Sequence, residues 1–132
     1  TASQSNHDTV VNFITLSVLQ CEIGQELIIK YSYDLNSKQT KYTNDLCPYI
    51  NAGNAVQMQS SFSNHFNAPP WCNPYGLKHA SGTCQEAIAN GGSVNRGKLG
   101  ETQIINTGKD FLIIDTQISD GVYLTKTIKL IN

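Results

Sequence analysis

Charge is scarce in this chain, and long apolar runs are absent. Only 14% of its 132 residues are Asp, Glu, Lys or Arg, and the formal net charge is -1. Such a balance leaves no electrostatic footprint for nucleic acid or for an anionic membrane surface. No stretch approaches the roughly 18 consecutive apolar residues that would mark a bilayer-spanning helix. None of the thirteen asparagines stands in an N-x-S/T sequon, which disfavours a eukaryotic glycoprotein. The first residues also lack the basic and apolar blocks of a signal peptide. Cys21, Cys47, Cys72 and Cys84 form no C-x-x-C pair, so the close ligand spacing of a structural zinc site is missing. Neither H-x-x-x-H, H-E-x-x-H nor a G-x-S-x-G elbow occurs.

What remains is an even number of cysteines in a chain rich in Asn, Ser, Thr, Gln and Gly. Two disulfides in an oxidising compartment are the expectation. Four cysteines allow three connectivities, and sequence alone selects none of them. The favoured pairing is Cys21 with Cys47 and Cys72 with Cys84, because each link closes a short, polar, weakly patterned segment. A disulfide-bonded protein must be exported, so a leader is expected to have been removed ahead of Thr1. Length predicts one domain, residues 1–132, with a modest core.

Three regions follow one another. Asn6 to Ile23 predicts an amphipathic helix, with Val10, Ile14, Val18 and Cys21 on one stripe. Leu16 and Leu19 are expected to widen that stripe, and Gly24 to terminate the helix in a left-handed cap. The middle, Gln25 to Gly100, is irregular and holds three of the cysteines and all four prolines. Within it, Leu27 to Leu35 alternates at Ile29, Tyr31, Tyr33 and Leu35 as an extended stretch would. Ala52 to Phe66 predicts a second helix, with Ala55, Met58, Phe62 and Phe66 inward and Asn51 as its N-cap. The Pro pair after Asn67-Ala68 ends it, and Trp71 to Gly100 shows no clear period.

The last region, residues 101–132, carries the clearest β pattern. Glu101 to Asn106, Phe111 to Ile118 and Val122 to Ile131 are rich in Ile, Val, Thr, Tyr and Leu. Asp120-Gly121 predicts a type I′ hairpin between the last two runs. Val122, Leu124, Ile128 and Leu130 share one face of the final run, and Tyr123, Thr125, Thr127 and Lys129 the other. The fold class expected is α+β: the N-terminal helix packed on a C-terminal three- to four-stranded antiparallel meander, with a disulfide-stapled irregular middle.

Candidate chemistry is thin. His7, His65 and His79 read as solvent-exposed. Asp110, Asp115 and Asp120 fit no calcium-loop spacing and read as turn and strand-surface residues. The Asn90-Gly-Gly-Ser-Val-Asn-Arg-Gly run lacks the G-K-[ST] ending of a phosphate loop and reads as a loop. Lys98, Lys109, Lys126 and Lys129 suggest a basic strip, but nearby Glu101, Asp110 and Asp115 offset it. Nucleic acid is therefore not the expected partner. Trp71 and Tyr75 could form a carbohydrate-stacking platform, although anchoring a loop is the commoner use of such rings. No catalytic, metal-binding or cofactor-binding residue is assigned, and an enzyme is not expected.

The order of elements resembles a type IV pilin. Asn6-His-Asp-Thr-Val-Val, the helix ending Leu19-Gln-Cys-Glu-Ile-Gly, and Asn73-Pro-Tyr are similar to segments of some bacterial members. In that family a long N-terminal helix packs its upper half on the sheet, while its apolar lower half anchors the subunit in the membrane and then in the filament core. The resemblance implies a structural subunit of a bacterial pilus serving adhesion and twitching motility. Its partners would be other pilin subunits, the assembly machinery and host or abiotic surfaces. It also implies an extracellular, cell-surface location, with an inner-membrane anchor before assembly. On this reading the chain is a truncated subunit whose apolar segment lies before Thr1. The family's C-terminal disulfide has no counterpart, since no cysteine follows Cys84. The alternative is a secreted, disulfide-stapled binding module using Trp71 and Tyr75.

Overall fold

The computed structural model describes residues 2–34, 36–67, 88–91 and 99–131. It is α+β. Helix α1 (Ala2–Glu22) is followed by a hairpin of β1 (Lys30–Asp34) and β2 (Gln39–Tyr42), a short α2 (Cys47–Asn51) and α3 (Ala55–Asn67). Strands β3 (Ile88–Gly91), β4 (Thr102–Asn106), β5 (Phe111–Ser119) and β6 (Val122–Lys129) form one sheet in that spatial order. β4, β5 and β6 are an antiparallel meander, whereas β3 pairs parallel with β4 along the edge. The sheet is therefore mixed, not purely antiparallel.

The predicted cover is present: α1 packs across β5 and β6 and reaches β4. Strand alternation places Ile104, Leu112, Ile114 and Ile128 on the helix-facing side, where they join Val10 and Ile14 in the core. Val122 is an exception among the four apolar residues assigned to that face of β6, being exposed beside the turn. From the other flank, α3 inserts Ala55, Met58, Phe62 and Phe66, all buried as its spacing predicts. α3 is also tied to β4 by polar contacts. Gln59 Nε2 donates to the Ile104 carbonyl at 2.7 Å, and Asn106 Nδ2 donates to Gln59 Oε1.

Local chemistry explains most of the boundaries. α1 closes in a Schellman motif, with Gln25 N–H on the Gln20 carbonyl and Gly24 N–H on the Cys21 carbonyl. Gly24 takes the left-handed φ of 87° that this cap requires. The N-cap of α3 is Asn54, whose Oδ1 accepts from Gln57 N–H at 3.1 Å. Asn51, expected in that role, is instead the last residue of α2. A turn at Ala52-Gly53 separates the two helices, so the single helix expected from Ala52 onward starts three residues later.

The β5–β6 turn also differs in type. Gly121 has φ of 73°, but Asp120 does not adopt positive φ, so the type I′ turn is not formed. The strands accommodate this through a bulge between Gln117 and Ser119, and Gln117 Oε1 accepts from Gly121 N–H at 3.0 Å.

Truncating the largest fully buried side chain of α3 should be costly. Phe62→Ala is expected to lower unfolding free energy by about 3–5 kcal/mol, read from urea denaturation. An effect below about 1 kcal/mol would mean that α3 is not part of the core.

Candidate functional site

The surface of α1 divides into two stripes, and its inner stripe is more polar than its sequence suggests. Ser3, His7, Val10, Ile14, Ser17 and Cys21 are all buried. Their steps of four and three residues alternate along one helix face. Polar members survive there because each has a partner. Ser3 Oγ donates to the Ile118 carbonyl at 3.2 Å, and Ser17 Oγ donates back to the Phe13 carbonyl at 2.8 Å. His7 Nδ1 lies 2.8 Å from Thr116 Oγ1, which is itself 2.7 Å from Thr102 Oγ1. Thr116 Oγ1, both donor and acceptor, thus links the imidazole of the helix to the Thr102 hydroxyl of the neighbouring strand.

Leu16 and Leu19 do not widen this stripe. At roughly 100° per residue they fall on the opposite side of the helix. Leu16 is 64% exposed, Leu19 47% and Ile23 71%. These three form a second apolar stripe at i, i+3, i+7 that no described residue covers. Exposed Ser5, Thr9 and Asn12 continue it toward the helix start without charge. Thus α1 has one apolar face occupied by the sheet and another open to solvent.

The C-terminal end of α1 is fixed by the disulfide. Cys21 and Cys47 are bonded, 26 residues apart in sequence, as the favoured pairing expects. Around it, residues 43–46 are bound to residues 27–29. Thr43 N–H donates to the Ile29 carbonyl and Leu46 N–H to the Leu27 carbonyl. Ile29 N–H donates to Thr43 Oγ1, while Asp45 Oδ1 accepts from both Leu27 and Cys47 N–H at 2.9 and 3.0 Å. Those two backbone donors hold the Asp45 carboxyl below its ordinary range. Cys72, Cys84, Trp71, Asn73, Tyr75, His79 and Lys98 lie outside the described residues, and with them the second proposed disulfide and the aromatic platform.

His7 and His65 are not the exposed residues expected. His7 is buried on the sheet-facing side of α1. His65 is half-buried, stacked on Phe13 with ring centroids 4.4 Å apart and 15° between planes. Its Nδ1–H donates to the Lys30 carbonyl at 3.0 Å, joining α3 to β1. Burial lowers both imidazole pKa values from 6.5. Asp8 and Asp115 partly oppose the shift at His7, and the Lys30 carbonyl opposes it at His65.

Asp115 is likewise buried, not on the strand surface, and accepts from Thr125 Oγ1 at 2.6 Å. Gln103 and Gln117 are buried on the same side of the sheet, away from α1. Lys126 and Lys129 occupy opposite faces of β6, so they do not make a common strip. Among the described residues no group of three His, Cys, Asp or Glu side chains converges on a metal-sized site. No described helix is long and apolar enough to cross a membrane.

Comparison with protein-family models, curated proteins and solved structures returned no match.

Two outcomes test this junction. Because both folded-state imidazoles hold a proton less readily than the unfolded ones, stability is fully present above pH 6.5 and is lost as pH falls through 6.5 toward the lowered values. Urea midpoints measured across that range should therefore decline on acidification. A flat profile would contradict the burial of both rings. The double variant Cys21→Ser/Cys47→Ser should lose about 3.5 kcal/mol of stability by the same assay, the loop-closure value for a link spanning 26 residues.

Proposed function

We propose that this chain is the globular part of a bacterial type IV pilin, a structural subunit whose work is filament assembly. The observation that carries the reading is the double-faced α1. One stripe is sealed against the sheet, while Leu16, Leu19 and Ile23 form an apolar stripe on the opposite side, bordered by exposed Asp8 and Glu22. A helix in a self-contained domain normally offers solvent a charged or polar back. A back bearing three large aliphatic side chains suits a helix that packs against other helices once subunits assemble.

The arrangement of the domain supports the same reading. An N-terminal helix docked on a C-terminal antiparallel meander is consistent with a pilin-like fold. Low surface charge suits close packing of identical copies, which would repel one another if each carried a large net charge. In this reading the partners are further copies of the subunit and the machinery that assembles them. The filament would lie outside the cell, with the subunit held in the inner membrane beforehand. Adhesion to surfaces and twitching motility would follow from the filament and its retraction.

The test is made in the source bacterium and on the purified chain together. Leu16→Glu/Leu19→Glu should abolish surface filaments in electron micrographs while leaving the urea midpoint of the purified domain within about 0.5 kcal/mol, as exposed substitutions do. The gene should also encode roughly 20 apolar residues directly before Thr1. Intact filaments in the variant, or in a strain lacking the gene, would overturn the assignment.

A further inference from the structure

A groove of about 460 Å³ opens between the β1–β2 hairpin, the 43–46 linker, α2 and α3. Three tyrosines line it: Tyr31 from β1, Tyr42 from the end of β2 and Tyr49 from α2. All three are well exposed, Tyr42 at 63%, and no aromatic contact among the described residues occupies their rings. Across from them, Gln57 and Asn64 project from the same face of α3, seven residues apart, and Asn44 adds a third amide from the linker.

This combination has a chemical meaning. Each amide offers two donors and an acceptor, so the three together match a ligand dense in hydroxyl groups. Tyrosine rings supply flat apolar surface with a polar tip, suited to a ligand that is apolar on its face and polar at its rim. A pyranose ring has both properties. Of the residues lining the groove, Asp45 alone carries a full charge at neutral pH, so nothing there selects for an acidic sugar. The volume falls within the ordinary range of small-molecule sites, roughly 300–1,000 Å³.

The groove is also held in shape before any ligand arrives. Its linker wall has no regular secondary structure, yet Thr43, Asp45 and Leu46 are hydrogen-bonded to residues 27–29, and the Cys21–Cys47 bond anchors the next residue. A wall fixed in advance spares the ligand the entropy of ordering it.

We propose that this groove binds the end of a neutral oligosaccharide, the tyrosine rings packing on the sugar faces and the amides of Asn44, Gln57 and Asn64 bonding its hydroxyls. A proline-rich peptide could also use an aromatic-lined groove. Its apolar ridge would leave those amides without partners, which favours the saccharide. The proposal does not depend on filament assembly.

The test uses the purified full chain on an array of neutral and acidic glycans, followed by titration of the strongest neutral ligand. Binding is expected to neutral glycans and to change little between low and high salt, because no charge pairing drives it. Tyr42→Ala and Gln57→Ala, both at exposed positions, should each weaken it roughly tenfold or more. Retained thermal midpoints in the two variants would tie that loss to the groove. No neutral glycan bound, binding untouched by both substitutions, or preference for a proline-rich peptide over every glycan would overturn the proposal.

Discussion

Everything else in this domain rests on the closure between its first helix and its last hairpin. Ser3 reaches Ile118 and His7 reaches Thr116, contacts that span 115 and 109 residues of sequence. The core cannot form until nearly the whole chain has been brought back on itself, an entropic cost that local structure does not meet. The Cys21–Cys47 bond acts on a different part of that problem. It joins the end of α1 to the start of α2, so the helix leaves the sheet with its far end already tied to the middle of the chain. A third attachment comes from Phe13, which packs edge-on against Phe62 and Phe66 of α3 and stacks on His65.

Elements that bury apolar side chains at a regular period were legible in the sequence. The meander and the inward face of α3 followed from such patterns, the Gly24 cap from its place just past the last periodic residue, and the Cys21–Cys47 link from the short polar segment it closes. The failures on α1 have two causes. Hydrophobicity draws Leu16 and Leu19 inward although helical geometry turns them to the far side, and it leaves His7 and Ser17 outward because it cannot see the partners that Thr116 and the Phe13 carbonyl supply. The same blindness missed Asp115, whose burial depends on Thr125 of the neighbouring strand.

Small exposed elements were lost for another reason. β1 falls within the extended stretch expected over Leu27 to Leu35, but its partner β2 carries no apolar alternation to mark it. α2 is only 5 residues long, and Pro48 in its first turn was the signal for it in the sequence. At the β5–β6 hairpin, Asp120-Gly121 located the turn correctly but not its type, which was decided by the Gln117 bulge. The groove was missed entirely, since it joins residues from four separate elements whose spacing in sequence carries no period.

The buried His7–Thr116–Thr102 chain bears on a question of alignment. A stripe that repeats in steps of three and four residues looks much the same after the helix slides by one turn, so apolar packing alone allows neighbouring alignments of similar energy. A shift of about 5.4 Å along the helix axis would carry His7 away from Thr116 and leave polar groups of both helix and sheet unpaired in the interior. The polar half of the stripe therefore adds little to the strength of docking but penalises every alignment except one. Uniqueness of position in this helix comes from its least hydrophobic contacts.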